Sequence, residues 1–472
     1  MLRNSNELPV LQKVQEVALA TGISAYVVGG YVRDLLLNRP TKDVDILVIG
    51  NGPAFAGKVA EAFGRRAKLS VFKNFGTANL KTGDFEIEFV GARKESYQRN
   101  SRKPIVEEGT LEDDLKRRDF TINALAIALN GNLPSGEIID MFGGLQDLEN
   151  KILRTPLEPN TTFSDDPLRM MRAIRFASQL NFKLHDETYE AIKHNKERIK
   201  IISGERIADE LNKIVLSDVP SIGFKLLEET GLLQIIFPEF IKLKGVQTIN
   251  NRSHKDNFYH TLQVLDNIAP NTNNLWLRWA AILHDIGKPA SQRFSQEEGG
   301  WTFHGHEVIG ARMVPNIFKN LKLPLNEKMK YVQKLVLLHL RPIALTQEVG
   351  DSAIRRLIVD ADNDLEDLLT LCKADVTSKN MLKVKTYLKR FDEVWEKIQE
   401  VEAKDQLRNW KPPITGEIVM ETFGLQPSRE VGIIKEAVKE AILNGDIRND
   451  YSEAFDYMLN KGAELGFKPL NN

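Results

Sequence analysis

The chain has almost no cysteine. Cys372 stands alone among 472 residues, which excludes an intramolecular disulfide and suits a reducing compartment. Charge of one sign is lacking as well, with 64 Lys and Arg against 65 Asp and Glu. No global field therefore argues for or against a nucleic-acid partner, and only local patches are informative. Long apolar runs are also missing. The opening MLRNSNELPVLQKVQEVALATG has no apolar core of signal-peptide length, and no later run is long enough to cross a bilayer. The chain thus reads as cytoplasmic, with no membrane partner; the pattern carries nothing on oligomeric state. It has no tandem repeats or low-complexity tracts. What remains, 42% hydrophobic and 27% charged, is a globular composition long enough for about two to four domains.

Up to about residue 150, β-like runs alternate with helical ones. AYVVGG, DVDILVIG, TANLKTG and DFEIEFVG read as strands, the last two joined by a turn at Thr82, Gly83 and Asp84. Beyond that, helical periodicity dominates, as in DPLRMMRAIRFASQL and RIADELNKIVL. The expected fold class is α+β: a mixed-sheet head followed by all-α domains. Softer boundaries fall in KLKGVQTINNRSHKDN and in DQLRNWKPPITGE, where Lys411 and the prolines after it predict a turn before a last helical segment.

Within VVGGYVRDLLLNRPTKDVDILVIG, side-chain alternation puts Asp43 and Asp45 on one strand face and Val44, Ile46 and Val48 on the other. Two neighbouring carboxylates repel unless a cation sits between them, and oxygen ligands of this kind suit Mg²⁺. Gly29 and Gly30 lie between a strand and a helix, offering backbone N–H groups to a phosphate. Each piece alone also fits an ordinary strand or turn; their order and spacing make the combination specific. Glu88, on a neighbouring strand with Glu86, is a candidate third carboxylate, or an edge-strand charge facing water.

Together GGYVRD…DVD, LKRRDFTINALA, DMFGGLQDL and SDDPLRMMRAIRF resemble the class II tRNA nucleotidyltransferase and bacterial poly(A) polymerase family, within the polymerase-β-like nucleotidyltransferases. The resemblance implies that Asp43 and Asp45 hold catalytic Mg²⁺ and that Gly29, Gly30 and Arg33 handle a triphosphate. Arg117, Arg118, Asp119 and Asn123 would contact the sugar and phosphates of the incoming nucleotide. Asp119 and Asn123 are spaced one helical turn apart, which suits a shared polar role; Arg117 and Arg118 also fit a basic helix cap. Asp166 and Arg169, three apart and so neighbours on a helix, match the E-D-x-x-R motif that reads the Watson–Crick edge of CTP or ATP. Arg172 and Arg175 continue an arginine stripe that faces tRNA or phosphates, or is a plain basic face. Asp165 stands where the family has Glu, and Met141 where it has Pro. Glu205 and Arg206, in SGERIADEL, fit a later motif read as mainly structural. The implied reaction is two-metal transfer of CMP and AMP from CTP and ATP onto a tRNA 3′ end, with poly(A), A-adding or CC-adding activity as alternatives.

All but two of the eight histidines lie between His254 and His339. FYHTLQVL, AAILHDIGKP and LCKADVTSKN give the order H…HD…D, which resembles the HD superfamily of metal-dependent phosphohydrolases. By that resemblance His260, His284, Asp285 and Asp375 hold one divalent transition metal, and His306 and His339 are candidates for a second. His304 is a weaker candidate and His254 matches nothing; the alternatives are a decayed HD scaffold, or an HD phosphohydrolase whose head no longer transfers nucleotides. The expected division is 1–153 catalytic head, 154–240 nucleotide-templating neck, 250–385 HD domain and 386–472 helical tail.

Overall fold

The computed structural model describes residues 8–470 except 42, 73–75, 99–100, 131–135, 250–251, 346–349, 379 and 406–411. Lys411 thus lies outside the described residues. The chain divides into two compact units, Met1–Phe237 and Pro238–Asn472.

The first unit begins with α1 (Leu8–Thr21), β1 (Ala25–Val28), α2 (Gly30–Leu36), β2 (Asp43–Val48) and α3 (Gly52–Phe63). There follow β3 (Ala67–Phe72), β4 (Thr77–Thr82), β5 (Phe85–Gly91), the ribbon β6 (Arg93–Gln98) and β7 (Ser101–Glu108), and α4 (Leu111–Lys116). β8 (Leu125–Ala128) and β9 (Ile138–Asp140) complete a seven-stranded sheet in the order β3-β4-β5-β2-β1-β8-β9. The only parallel pair in it is β2 with β5, and that register sets Asp43 opposite Glu86 and Asp45 opposite Glu88. The turn expected at Gly83 joins β4 to β5, with Gly83 at φ 57°. Val44, Ile46 and Val48 are buried as alternation requires, and Leu47 packs with Val28, Leu115 and Ala126 on the other face. Because Leu47 is covered there, the aspartate face opens only at the start of β2.

Helices then take over: α5 (Gly144–Asn150), α6 (Pro159–Asp165), α7 (Leu168–Leu180), α8 (Asp186–Asn195), α9 (Gly204–Val215), α10 (Pro220–Glu229) and α11 (Leu232–Ile236). α9 buries Ala208, Leu211, Ile214 and Val215 on one stripe, the 3.6-residue pattern legible in RIADELNKIVL.

The second unit runs α12 (Pro238–Ile241), α13 (Asn257–Ile268), α14 (Leu275–Leu283), α15 (Lys288–Ser291), α16 (His306–Asn320), α17 (Glu327–Leu338), α18 (Arg341–Ala344), α19 (Asp351–Ala361) and α20 (Leu365–Asp375). α21 (Met381–Asp405) leads to α22 (Gly416–Phe423), α23 (Arg429–Asn444) and α24 (Tyr451–Glu464), which share a core of Val419, Ile434, Val438 and Met458. Two short hairpins, at Thr248–Ser253 and Arg293–Thr302, interrupt an otherwise helical unit. Among the described residues no helix is long and apolar enough to cross a membrane.

Candidate functional site

The sheet brings three carboxylates together. Asp45 sits beside Glu88 across the parallel register, with Asp43 two residues back on the same face. Burial pushes the Asp45 carboxyl up to about 6; Arg118 opposes this, and Glu88 and Asp43 reinforce it. β5 lies between β4 and β2, so Glu88 is not an edge-strand charge. Gly29 caps α2 at φ 77°, and a Cβ there would meet Arg118 Nη1 at 2.7 Å and Asp45 Oδ2 at 3.2 Å. The positive φ is what favours glycine here; a Cβ would in addition push the end of the Arg118 side chain aside.

RRDFTINA does not form the helix expected from its spacing. α4 ends at Lys116, and the chain turns through a 3₁₀ turn at Thr121–Asn123. Asp119 and Asn123 still meet, because Asn123 Nδ2 donates to Asp119 Oδ1 at 2.9 Å. Arg33 Nη1 donates to Asn123 Oδ1 at 2.8 Å, while its other nitrogens grip Asp34. Arg172 Nε donates to the far Asp119 oxygen at 2.7 Å. Burial would raise Asp119, but Arg172 and Asn123 outweigh it and hold its carboxyl well below the usual range. Arg117 and Arg118 both reach fully buried Asp114 on α4. Asp114 was not singled out in the sequence, although its i+3 and i+4 spacing to these arginines carried the signal. Asp140 of DMFGGLQDL accepts from the N–H groups of Phe142, Gly144 and Leu145, and Asp147 accepts from Thr121 Oγ1 at 2.7 Å. That motif therefore buttresses the turn, and Met141 is an exposed bystander.

Asp166 and Arg169 are not neighbours within one helix, as their spacing suggested. Pro167 bars the residue before it from helical backbone, so Asp166 ends α6 at φ −131°, ψ 93° and α7 starts at Leu168. Asp166 Oδ1 instead accepts from Leu168 N at 3.3 Å, and Arg169 Nη2 donates to the Arg117 carbonyl at 2.6 Å. A cleft of about 350 Å³ gathers Asp45, Glu88, Arg117, Arg118, Asp119, Asp166, Arg169 and Arg172. Arg206 of α9 lines it too, a residue the sequence reading placed among structural ones. Asp43, Gly29, Gly30, Arg33 and Asn123 are not in its wall. Arg175 faces neither phosphate nor solvent: it is buried, paired with Glu210 at 2.8 Å and set over the Phe176 ring.

In the second unit, His284, His306 and His339 each place Nδ1 2.7 Å from the carbonyl three residues earlier, those of Ala281, Phe303 and Val336. The Nδ1 proton is thereby committed to backbone, and each Nε2 turns inward. His284 Nε2 lies 3.3 Å from Asp285 and 3.5 Å from Asp375 without the geometry of a hydrogen bond to either. His306 Nε2 lies 3.2 Å from Asp285, and His260 Nε2 2.9 Å from Asp375. Two potential ligand groups, His260 with His284 and Asp285, and Asp285 with His306 and His339, share Asp285. An inward lone pair fixed by a backbone acceptor behind it is the arrangement of a metal-ligating histidine, so the donor set fits divalent cations. Burial lowers His284, yet the adjacent Asp285 and Asp375 carboxylates outweigh it and push the imidazole up to about 10. Burial and His284 drive His339 down to about 4. His304 is excluded from the group, since it pairs with Glu298 at 2.9 Å on the surface. His254 packs against Trp301 and Phe303.

A mixed sheet with paired aspartates, followed by helices that close an arginine-rich cleft and by a buried His–Asp cluster, defines a nucleotidyltransferase head joined to an HD domain. Residues 25–154 match the Poly A polymerase head domain, 181–243 the probable RNA and SrmB-binding site of polymerase A, and 257–380 the HD domain. Both enzymatic domain types work with divalent metals. The A-adding tRNA nucleotidyltransferase of Deinococcus radiodurans is 31% identical over 90% of this chain and 92% of its own. The multifunctional CCA protein of Nitrosococcus oceani is 34% identical over 77% of this chain and 87% of its own. The CCA-adding enzyme of Bacillus stearothermophilus, solved in complex with CTP, shares the fold at a TM-score of 0.71 with 24% identity, covering 98% of this chain and 99% of that one. The chain belongs to the tRNA nucleotidyltransferase family.

Proposed function

We propose that this enzyme adds C, C and A to the 3′ end of tRNA, taking CMP and AMP from CTP and ATP. The carrying observation is the single cleft that joins Asp45 and Glu88 on the sheet to Asp166 and Arg169 from the helices beyond it. Asp43, Asp45 and Glu88 would hold Mg²⁺, the cation their hard oxygens fit. When bound, such ions lower the pKa of the attacking 3′-hydroxyl and neutralise the triphosphate. The chain's own groups do the rest. Arg117, Arg118 and Arg172 hold phosphate oxygens, while Gly29 and Gly30 leave room beside them. Asp166 and Arg169 present acceptor and donor edges to the base. Arg33 and Asn123, outside the cleft wall, position Asp119 and through it Arg172 by the hydrogen-bond chain above.

The four-part division at residues 153, 240–250 and 385 is retained as the functional one: head, templating neck, HD domain and tail. At the HD cluster His260, His284, Asp285, Asp375, His306 and His339 would hold transition-metal cations. When bound, these supply a hydroxide that opens a phosphoester. The buried single thiol supports a cytoplasmic site of action.

One second reading is addition of A alone, the activity in the name of the Deinococcus radiodurans relative. Purified protein with Mg²⁺ should be given tRNA lacking CCA and tRNA ending in CC, with CTP, ATP or both. Ordered growth by C, C and A supports the proposal. Extension only of the CC-ended substrate by one A supports the second reading. Long A-tails, or CC without A, refute both.

A further inference from the structure

His260 is wired differently from its three companions. Its Nδ1 faces no backbone carbonyl; it lies 2.9 Å from Lys255 Nζ and 3.0 Å from Thr377 Oγ1. Lys255 also donates to that same hydroxyl. An ammonium group has three donors and no acceptor, so at His260 Nδ1 it can only donate. The ring proton must then sit on Nε2, where Asp375 accepts it at 2.9 Å. This tautomer cannot ligate a cation through Nε2. Ligation needs the proton on Nδ1, and among the described residues the neighbour there that can accept it is Thr377 Oγ1. Cation binding at His260 and the Lys255–His260 hydrogen bond therefore exclude each other.

The place to which Lys255 turns is open. Lys255, His260 and Thr377 share the wall of a groove of about 1380 Å³, with Tyr259, Lys373 and Met381 further along. Asp256 and Asp266 also line that groove, but the carboxylates that act on Lys255 are Asp375 and Asp285, the ones a cation would neutralise. A lysine freed from Nδ1 in that setting faces the groove with an unspent donor, beside the proposed cation. We propose that Lys255 is the anion-holding residue of the HD centre, held by its hydrogen bond to His260 Nδ1 and released to a phosphoester oxygen when a cation takes His260 Nε2. The inference rests on the reading of the His–Asp cluster as a metal centre.

The experiment uses the full chain carrying Asp43→Ala and Asp45→Ala, so that the head does not compete for metal. Calorimetry titrates Mn²⁺ into this parent and into the same protein with Lys255→Met, and then inorganic phosphate into each Mn²⁺-loaded form. Removing the competing ammonium should tighten Mn²⁺ by about tenfold, the scale of a partner hydrogen-bonded behind a ligand. It should weaken phosphate by about tenfold, the loss of one charge-assisted hydrogen bond. Lys255→Arg should retain phosphate binding. Opposite signs are the signature, because a merely structural lysine would weaken both or neither. Since Lys255 is solvent-exposed, an unchanged melting temperature is expected and checks the fold. Equal or weaker Mn²⁺ binding by Lys255→Met, or unaltered phosphate binding, overturns the inference while leaving the metal centre standing. A parent that binds no Mn²⁺ overturns the metal centre and the inference together.

Discussion

Burial lets Asp45 keep its proton to a higher pH than an ordinary carboxyl, and on the proposed reading a cation takes that proton's place. Its folded pKa is raised to about 6, so the proton stabilises it below that value and ionisation in the metal-free protein works against the fold above it. A bound cation reverses the cost only when the carboxyl is ionised. The stabilisation by Mg²⁺, read as the shift in melting temperature of the first unit, should thus be larger at pH 7 than at pH 5. Asp45→Ala or Asp43→Ala should cut nucleotide addition by about a thousandfold or more, the several kcal/mol that metal-ion catalysis supplies. Asp119 has the opposite sign. Its carboxyl is held down by Arg172 and Asn123, so its contribution is full above about pH 4 and is lost as pH falls further. Asp119→Asn should lower stability at pH 7 by about 1–2 kcal/mol, since Arg172 is partly solvated, and should flatten the acid side of the melting profile below about pH 4. The D-x-D pair was legible because strand alternation has a fixed period. The network of Asp119 was legible only in its membership, since Arg172 lies far along the chain and nothing local announces that contact.

At the scale of elements, the spacing arguments erred wherever proline or a cap intervened. A separation of three predicts one helix face, but Pro167 splits Asp166 from Arg169 between α6 and α7, and the side chains reach the cleft from a junction. The same break lets Arg169 bond to the carbonyl of Arg117, which no helix period encodes. Arg206 escaped notice for the converse reason. It sits in the first turn of a regular amphipathic helix whose buried stripe explains the rest of that sequence. Arg206→Ala should raise the KM for nucleotide or tRNA by about tenfold through loss of a charged contact, with little change in melting temperature. Gly29→Ala should be harsher, because backbone at φ 77° and ψ −139° costs a side chain about 1–3 kcal/mol and its Cβ would press on the Arg118 guanidinium. Steady-state kinetics beside thermal melts separates these two effects.

At the scale of the whole molecule, one compact unit carries the nucleotidyltransferase head and the other the HD domain. The change from β-like to helical periodicity foretold the α+β head and the helical remainder, whereas the short hairpins of the second unit were too brief to register in any window. Asp45→Ala should abolish nucleotide addition and spare hydrolysis of a test phosphodiester, and His284→Ala should do the reverse; assays of both activities on both variants decide it. One feature of the second unit also makes its motions measurable. Cys372 is buried, its Sγ donates to the carbonyl of His339 at 3.0 Å, and burial beside Asp375 pushes the thiol well above its usual range. A thiol so placed reacts only when the core around it opens. Because the chain has no other cysteine, its alkylation rate is a clock for that opening, with no engineered label needed. Metal that ties His339 to Asp285 should slow the clock, and chelation should speed it.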